Sequence, residues 1–285
     1  MVTPLTPEEQ VDKTGLRKVV DYCIAGGVYG VVVLGSTGEF PAMTETMRCD
    51  AVETSIEAVA GRVKVLIGCG DTSTQKTITQ VKAASRTTAD AVLVTLPYYY
   101  PLDAAGVYRH YSMVAEASEK PVILYNFPQM TKVPIAPDSL EKLADHPNII
   151  GVKDSAGDFV AMQRYLDVSA GKNFAVMSGN PALGLAAYLH GAKGGIYAGC
   201  SLAPKLCVDV FDTWVKGDLQ GALALQKQAS LIPLMGGFGA NAAVIKVGLA
   251  KMGICGTTVS APLGLASIPD VTEKIYGWMK RIGLE

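Results

Sequence analysis

Short apolar runs rich in β-branched residues recur along the chain. They begin near Val31 (VVVLG), Val63 (VKVLIG), Ala91 (AVLVTL), Val122 (VILYN), Ile149 (IIGVK), Phe174 (FAVMSG) and Gly195 (GIYAG). The intervals between them are 32, 28, 31, 27, 25 and 21 residues. Each run is apolar on both faces, the pattern of parallel strands covered by helices. The segments between carry helical spacing. Over 13–25, Leu16, Val19, Val20 and Ile24 repeat at three and four, and over 44–59 Met47, Ala51, Val52, Ser55, Ile56 and Val59 share a face. Residues 138–143 follow Pro137, a favourable first helical residue. A stub strand at 1–5 would bring the count to eight. Alternating strands and helices predict a parallel α/β fold, and eight units favour a closed (β/α)8 TIM barrel, although a doubly wound sheet also fits the pattern. After Gly199 the spacing predicts helices over 205–216, 219–231, 240–252 and 269–282. The expected organisation is a catalytic barrel over 1–217 with a C-terminal helical extension over 218–285 packed on it.

Composition narrows the function. Of 285 residues, 30 are glycine and 18% are charged, with 25 basic against 26 acidic side chains. Charge this sparse points to a large core, to buried subunit contacts, or to both. A near-neutral balance offers no basic stripe, so no nucleic-acid partner is expected. No apolar run approaches the ~18 residues of a membrane span. The first residues lack the basic start and apolar segment of a signal peptide, so a cytoplasmic location is expected. The six cysteines lie far apart without a C-x-x-C pair and read as reduced, mostly buried thiols. The three histidines are isolated, which leaves a histidine metal centre or a Ser-His-Asp triad short of parts.

Barrel enzymes place their chemistry at the C-terminal ends of the strands. Lys153 ends the run Ile149-Ile150-Gly151-Val152. A lysine held in apolar surroundings loses preference for its ammonium form, and the free amine can attack a carbonyl to give a Schiff base. The alternative is a strand-end lysine reaching solvent or pairing with Asp154. Tyr125 ends the preceding run one unit away and could carry protons, or could be a core tyrosine with a satisfied hydroxyl. Gly35-Ser36-Thr37-Gly38 supplies two hydroxyls and backbone N–H groups that could grip a carboxylate, or be an ordinary loop. Glu39 reads as ordering the turn that follows. Gly194, Gly195 and Gly199 hint only weakly at a phosphate site.

Four segments, GSTGE (35–39), LPYYYP (96–101), YNFP (125–128) and GVKDSAGD (151–158), together resemble the dihydrodipicolinate synthase / N-acetylneuraminate lyase family of pyruvate-dependent class I aldolases. The resemblance covers essentially the whole chain. It implies a (β/α)8 barrel with a C-terminal helical extension, a homotetramer built as a dimer of dimers, and no cofactor or metal. Lys153 would form the imine with pyruvate or another 2-oxo acid, and Tyr125 would be the general acid/base. Ser36 and Tyr99 would complete a proton relay, Tyr99 from a neighbouring subunit; the register among Tyr98, Tyr99 and Tyr100 stays open. Ser36 and Thr37 would hold the carboxylate, with Gly179 and Ile196 also lining the substrate site.

Departures from the family patterns bear on the second substrate. The synthase subgroup carries an arginine two residues after the proline of Y-N-x-P, where this chain has Met130; Lys132 is two positions further on. The sialic-acid lyase subgroup carries a threonine after its lysine where Ser155 stands, and an acidic pair where Gly179-Asn180-Pro181 stands. The segment after Lys153 is closer to aldolases of 2-keto-3-deoxy acids, and Gln129, Asn180 and Tyr197 are candidates to meet substrate hydroxyls. The expected reaction joins pyruvate and an aldehyde to a 2-keto-3-deoxy acid, or cleaves it. The alternatives are 4-hydroxy-tetrahydrodipicolinate synthase, N-acetylneuraminate lyase, a barrel isomerase acting on phosphorylated substrates, and an idle barrel that only binds a 2-oxo acid. The resemblance also leads to the expectation that the chain starts late, with most of the family's first strand absent before Val2.

Overall fold

A computed structural model describes residues 1–284. In chain order the elements are α1 (Lys13–Ala25), β1 (Gly30–Val33), α2 (Glu45–Val59), β2 (Lys64–Cys69), α3 (Thr74–Ser85), β3 (Ala91–Thr95), α4 (Ala104–Ala117) and β4 (Val122–Asn126). They continue with α5 (Pro128–Thr131), α6 (Pro137–Leu143), β5 (Ile149–Asp154), α7 (Phe159–Val168), β6 (Ala175–Ser178), α8 (Gly184–Leu189) and β7 (Gly194–Gly195). The last helices are α9 (Pro204–Val215), α10 (Leu219–Ala229), α11 (Asn241–Lys251) and α12 (Val271–Arg281). The strands follow one another in the order β1 to β7. No helix among the described residues is long and apolar enough to cross a membrane.

The chain divides into two units, one spanning Leu66–Ile196 and the other spanning Met1–Val65 and Tyr197 onward. In the Leu66–Ile196 unit β2 through β7 pair in parallel. Every residue of β3 and β4 is buried, as their unbroken apolar runs require. Between β4 and β5 the register shifts once: Val122 pairs with Ile149, but Ile123 pairs with Gly151. Ile150 is therefore an extra residue, a bulge that sets every later pair. Gly151 must be glycine, because a Cβ there would lie 2.5 Å from the Ala175 carbonyl oxygen. Side chains at the starts of α3, α4 and α7 cap backbone N–H groups: Ser73 accepts from Lys76, Asp103 from Gly106, and Asp158 from Val160 and Ala161. His110 of α4 is buried, with its Nδ1 3.0 Å from the Thr74 hydroxyl.

In the other unit α1 spans 13–25 as predicted, because Asp12 caps it and Leu16, Val19, Val20 and Cys23 bury one face. Thr44 caps α2. The stub strand expected at 1–5 does not form. Leu5 makes only an isolated antiparallel bridge to Val11, and the Pro4 carbonyl accepts from the Asp12 N–H. Pro4 and Pro7 supply no N–H for a ladder. Seven strands are therefore present among the described residues. The Met1 amino group donates to the Val32 carbonyl at 2.6 Å, and the Thr3 hydroxyl to that of Gly38 at 3.0 Å. Every residue from Ala242 to Leu249 of α11 is buried, the signature of a core helix. No disulfide joins the cysteines among the described residues, and only Cys23, Cys69 and Cys207 are buried; Cys200 and Cys255 are half-buried. Cys49 is exposed because it lies off the Met47–Ala51 face of α2.

Candidate active site

The register downstream of the bulge pairs Tyr125 with Lys153 and Asn126 with Asp154. Paired residues of parallel strands share a face and successive residues alternate, so Tyr125 and Lys153 share one face while Asn126 and Asp154 share the other. Lys153 is 9% exposed and Tyr125 6% exposed. The Lys153 Nζ lies 4.2 Å from the centroid of the Tyr125 ring, which in turn stacks on Phe127 with centroids 5.6 Å apart. Behind the tyrosine, the buried Tyr111 hydroxyl is shared between the carbonyls of Val94 and Tyr125, at 3.4 and 3.3 Å. The reading of Lys153 as a solvent-seeking lysine is thereby removed.

Pairing with Asp154 is removed as well. Asp154 Oδ1 accepts from the Asn126 side chain at 2.7 Å and from the Ala156 N–H at 3.2 Å, while Oδ2 is buried without a partner. Burial pushes the Asp154 carboxyl above the usual carboxylate range, and the Asn126 and Ala156 hydrogen bonds pull against that shift. Asn126 Oδ1 accepts from the Ile135 N–H at 3.0 Å, and the Tyr165 hydroxyl donates to the Ile135 carbonyl. These bonds brace the strand ends and the segment that follows Tyr125.

That segment is the single turn α5. Thr131 is buried and donates to the Val133 carbonyl at 2.9 Å, whereas Met130 is 61% exposed. Lys132 has a left-handed backbone (φ 62°), and its ammonium donates to the Gln129 carbonyl at 2.8 Å. The Gln129 amide donates to the Ala156 carbonyl at 2.6 Å. On the neighbouring strand ends, the Gly179 N–H donates to the Asp154 carbonyl at 2.6 Å and the Ile196 N–H to that of Ser178 at 2.8 Å. A Cβ on Gly179 would meet the Ser155 side chain and lie 2.8 Å from the Asp154 carbonyl oxygen. Tyr99 is 74% exposed, with its ring edge-on to Tyr100 at 5.0 Å. No ring contact or hydrogen bond joins it to Lys153 or Tyr125 among the described residues.

The turn after β1 belongs to the other unit. Ser36–Gly38 form one turn of 3-10 helix. Ser36 and Thr37 are half-buried, and neither hydroxyl is engaged in a hydrogen bond among the described residues. Two non-glycine residues with left-handed backbones flank the turn, Leu34 (φ 58°) and Glu39 (φ 62°). Glu39 is fully buried. Its Oε2 accepts from the Ser260 N–H at 2.7 Å, and its Oε1 lies 2.6 Å from the Lys246 Nζ. Lys246 donates to the Thr258 carbonyl at 2.6 Å. Burial lowers the Lys246 ammonium from its ordinary range, and the Glu39 charge opposes that shift. This pair escaped the sequence reading. The legible signal was a lone lysine in the otherwise apolar run Ala-Ala-Val-Ile-Lys-Val-Gly-Leu-Ala. Gly199 is a packing glycine, since a Cβ there would clash with Ile232.

A buried lysine at a strand end with a tyrosine as its register partner is the furniture of a Schiff-base aldolase, a carbon–carbon lyase. Comparison with known proteins gives the same class. The profile of the Dihydrodipicolinate synthetase family matches residues 1–274. A 4-hydroxy-tetrahydrodipicolinate synthase of Cereibacter sphaeroides is 35% identical, over 100% of this chain and 97% of that protein. The crystal structure of a dihydrodipicolinate synthase from Thermotoga maritima superposes with a TM-score of 0.95 at 30% identity, covering 100% of this chain and 97% of that one. YagE, a prophage protein of the same family from E. coli K12 solved in complex with pyruvate, gives a TM-score of 0.94 at 30% identity, with coverage of 100% and 97%. The chain belongs to the dihydrodipicolinate synthetase family. It has that family's TIM-barrel-like fold, here with seven strands among the described residues and with C-terminal helices, and it is a lyase.

Proposed function

We propose that this lyase joins pyruvate to an aldehyde, or cleaves the resulting 2-keto-3-deoxy acid, through an imine on Lys153. The observation that carries the proposal is the burial of Lys153 with its Nζ 4.2 Å from the ring of its register partner Tyr125. The Lys153 amine adds to the keto carbon of pyruvate and water leaves, giving a protonated imine. The iminium draws electrons from C3, a C3 proton departs, and an enamine forms. The enamine C3 then attacks the aldehyde carbon, a proton passes to the new alkoxide, and water returns to release the product and the free amine. Cleavage runs the same steps backwards. Tyr125 is the proposed proton carrier. Ser36 and Thr37 are the proposed holders of the 2-oxo acid carboxylate, Gly179 and Ile196 line the site, and Tyr99 completes the relay from a second subunit of a cytoplasmic homotetramer.

Borohydride reduction with pyruvate, followed by peptide mapping, tests the reading. An adduct on Lys153 that is lost in Lys153→Ala is expected; no adduct on the unaltered protein would sink it.

A second reading is 4-hydroxy-tetrahydrodipicolinate synthesis from pyruvate and aspartate semialdehyde, because relatives at about a third identity carry that name. We rank it second. The exposed Met130 stands where the resemblance calls for an arginine, and the nearby Lys132 ammonium is turned back onto Gln129. A thioether offers no fork of donors for a second carboxylate.

A further inference from the structure

We propose that Glu39 and Lys246 are a positioning pair that holds the Ser36–Thr37 turn in shape to grip a 2-oxo acid carboxylate, which makes α11 part of the substrate apparatus. The inference deepens the proposed function and rests on it. Neither residue is assigned any contact with substrate.

The geometry supporting this lies within one unit. The Glu39 N–H donates to the Ser36 carbonyl at 3.1 Å and so closes the turn. The side chain of the same residue is clamped from the other direction by the Ser260 N–H and the Lys246 ammonium. Glu39 holds a left-handed backbone that a side chain disfavours, and such a conformation persists only where its surroundings over-determine it. Two charge-bearing contacts at 2.6 and 2.7 Å supply that restraint. Helix α11 packs directly on the Ser36–Gly38 turn, so the lysine reaches Glu39 from a neighbouring backbone. The Thr3 hydroxyl holds the Gly38 carbonyl separately.

The energetics point the same way. Both side chains of the ion pair are 0% exposed. A buried pair loses so much hydration that an apolar pair of equal volume is often as stabilising or more so. Packing alone would have been served by leaving α11 apolar throughout. What the charges add is direction: a fixed place for Glu39, and through its N–H a fixed place for Ser36. Among the described residues the two hydroxyls of the turn have no hydrogen-bond partner, which leaves them available to an anion.

The test compares trapping of the Lys153 imine by borohydride with pyruvate and with acetaldehyde, which lacks the carboxylate. The lead variant is Glu39→Gln with Lys246→Met, which leaves no lone buried charge. It should keep its unfolding midpoint while needing roughly tenfold more pyruvate for half-maximal labelling of Lys153, as expected for loss of an oriented charge-binding contact. Acetaldehyde labelling should be unchanged, and in turnover KM for pyruvate should rise with kcat nearly constant. Should that protein not fold, Glu39→Asp, which keeps both charges but shortens the reach to Lys246 and Ser260, is read in the same way. Unchanged pyruvate labelling, or equal shifts for pyruvate and acetaldehyde, would overturn the positioning role and leave the proposed function standing. Absence of any pyruvate adduct on the unaltered protein would overturn both.

Discussion

The Lys153 Nζ sits over the face of the Tyr125 ring, 4.2 Å from its centroid, and among the described residues no hydrogen bond joins it to the phenol oxygen. The ring face forms a wall beside the Lys153 side chain, and the role proposed for its hydroxyl is a separate one. A pair joined by a hydrogen bond would have tied up both groups before a substrate arrived.

Tyr125→Phe separates these tasks. The phenylalanine keeps the wall and the stack on Phe127, so borohydride should still capture pyruvate on Lys153. Turnover, which needs the hydroxyl to move protons, should fall by about 10²–10⁴. Loss of trapping and turnover together would show that the hydroxyl is needed to form the imine itself.

Lys153→Met should abolish both trapping and turnover while leaving the thermal midpoint equal or higher. The site is buried, Asp154 does not depend on the lysine, and methionine fills a similar volume without a charge. A midpoint several degrees lower would mean that the ammonium has a structural partner after all.

Met130→Arg tests the second reading. Residue 130 is exposed on the turn after Tyr125, so the guanidinium should be accommodated without loss of stability. If a missing carboxylate clamp limits condensation with aspartate semialdehyde, kcat/KM for that aldehyde should rise by tenfold or more, on the order of 1.4 kcal/mol. Efficient condensation by the unaltered protein would remove the ranking of the two readings.

The Asn126–Asp154 contact predicts an order of stabilities. Asn126→Ala leaves a buried carboxylate without its main donor and should cost about 3 kcal/mol. Asp154→Asn removes the charge whose Oδ2 already lacks a partner and should cost less. Urea unfolding of the two variants measures the order, and the reverse result would count against this account of the brace.

His110 gives a pH dependence. Burial lowers its pKa from 6.5 to about 4, so the folded protein holds it neutral while the unfolded chain takes up a proton. The unfolded state therefore binds more protons between these values, and stability falls as pH drops through that window. From pH 8 to pH 5 the loss from this residue should be about 2 kcal/mol. His110→Gln should flatten that part of the urea-midpoint profile. Asp154, raised by burial, works in the opposite direction and is common to both proteins.

Much of the fold was legible because local rules agreed with tertiary ones. Helix α1 was legible from its apolar positions, which repeat with the helical period over 13–25, and the Asp12 cap seen in the structure fixes its start. Lys153 was legible for a related reason: a lysine closing an unbroken apolar strand is a local oddity. The chain's first residues misled because the eighth strand was placed there to complete the count, against a proline that supplies no N–H to a ladder. Glu39 reads in the sequence as ordering the turn after it, whereas its N–H closes the turn before it on Ser36, and its pairing with Lys246 leaves no trace because ion pairs between distant elements have no period. The bulge at Ile150 was hidden too, since a run apolar on both faces reads the same with or without an extra residue.

That extra residue separates two phases of one strand. Upstream of it, Ile149 is seated by packing beside Val122; downstream, Lys153 is seated by chemistry beside Tyr125. Were the strand regular, keeping one alignment would turn the other side chain to the wrong face. With the extra residue, both alignments hold at once in one strand. The lysine's address is thus counted from the neighbouring strand, not from the start of its own.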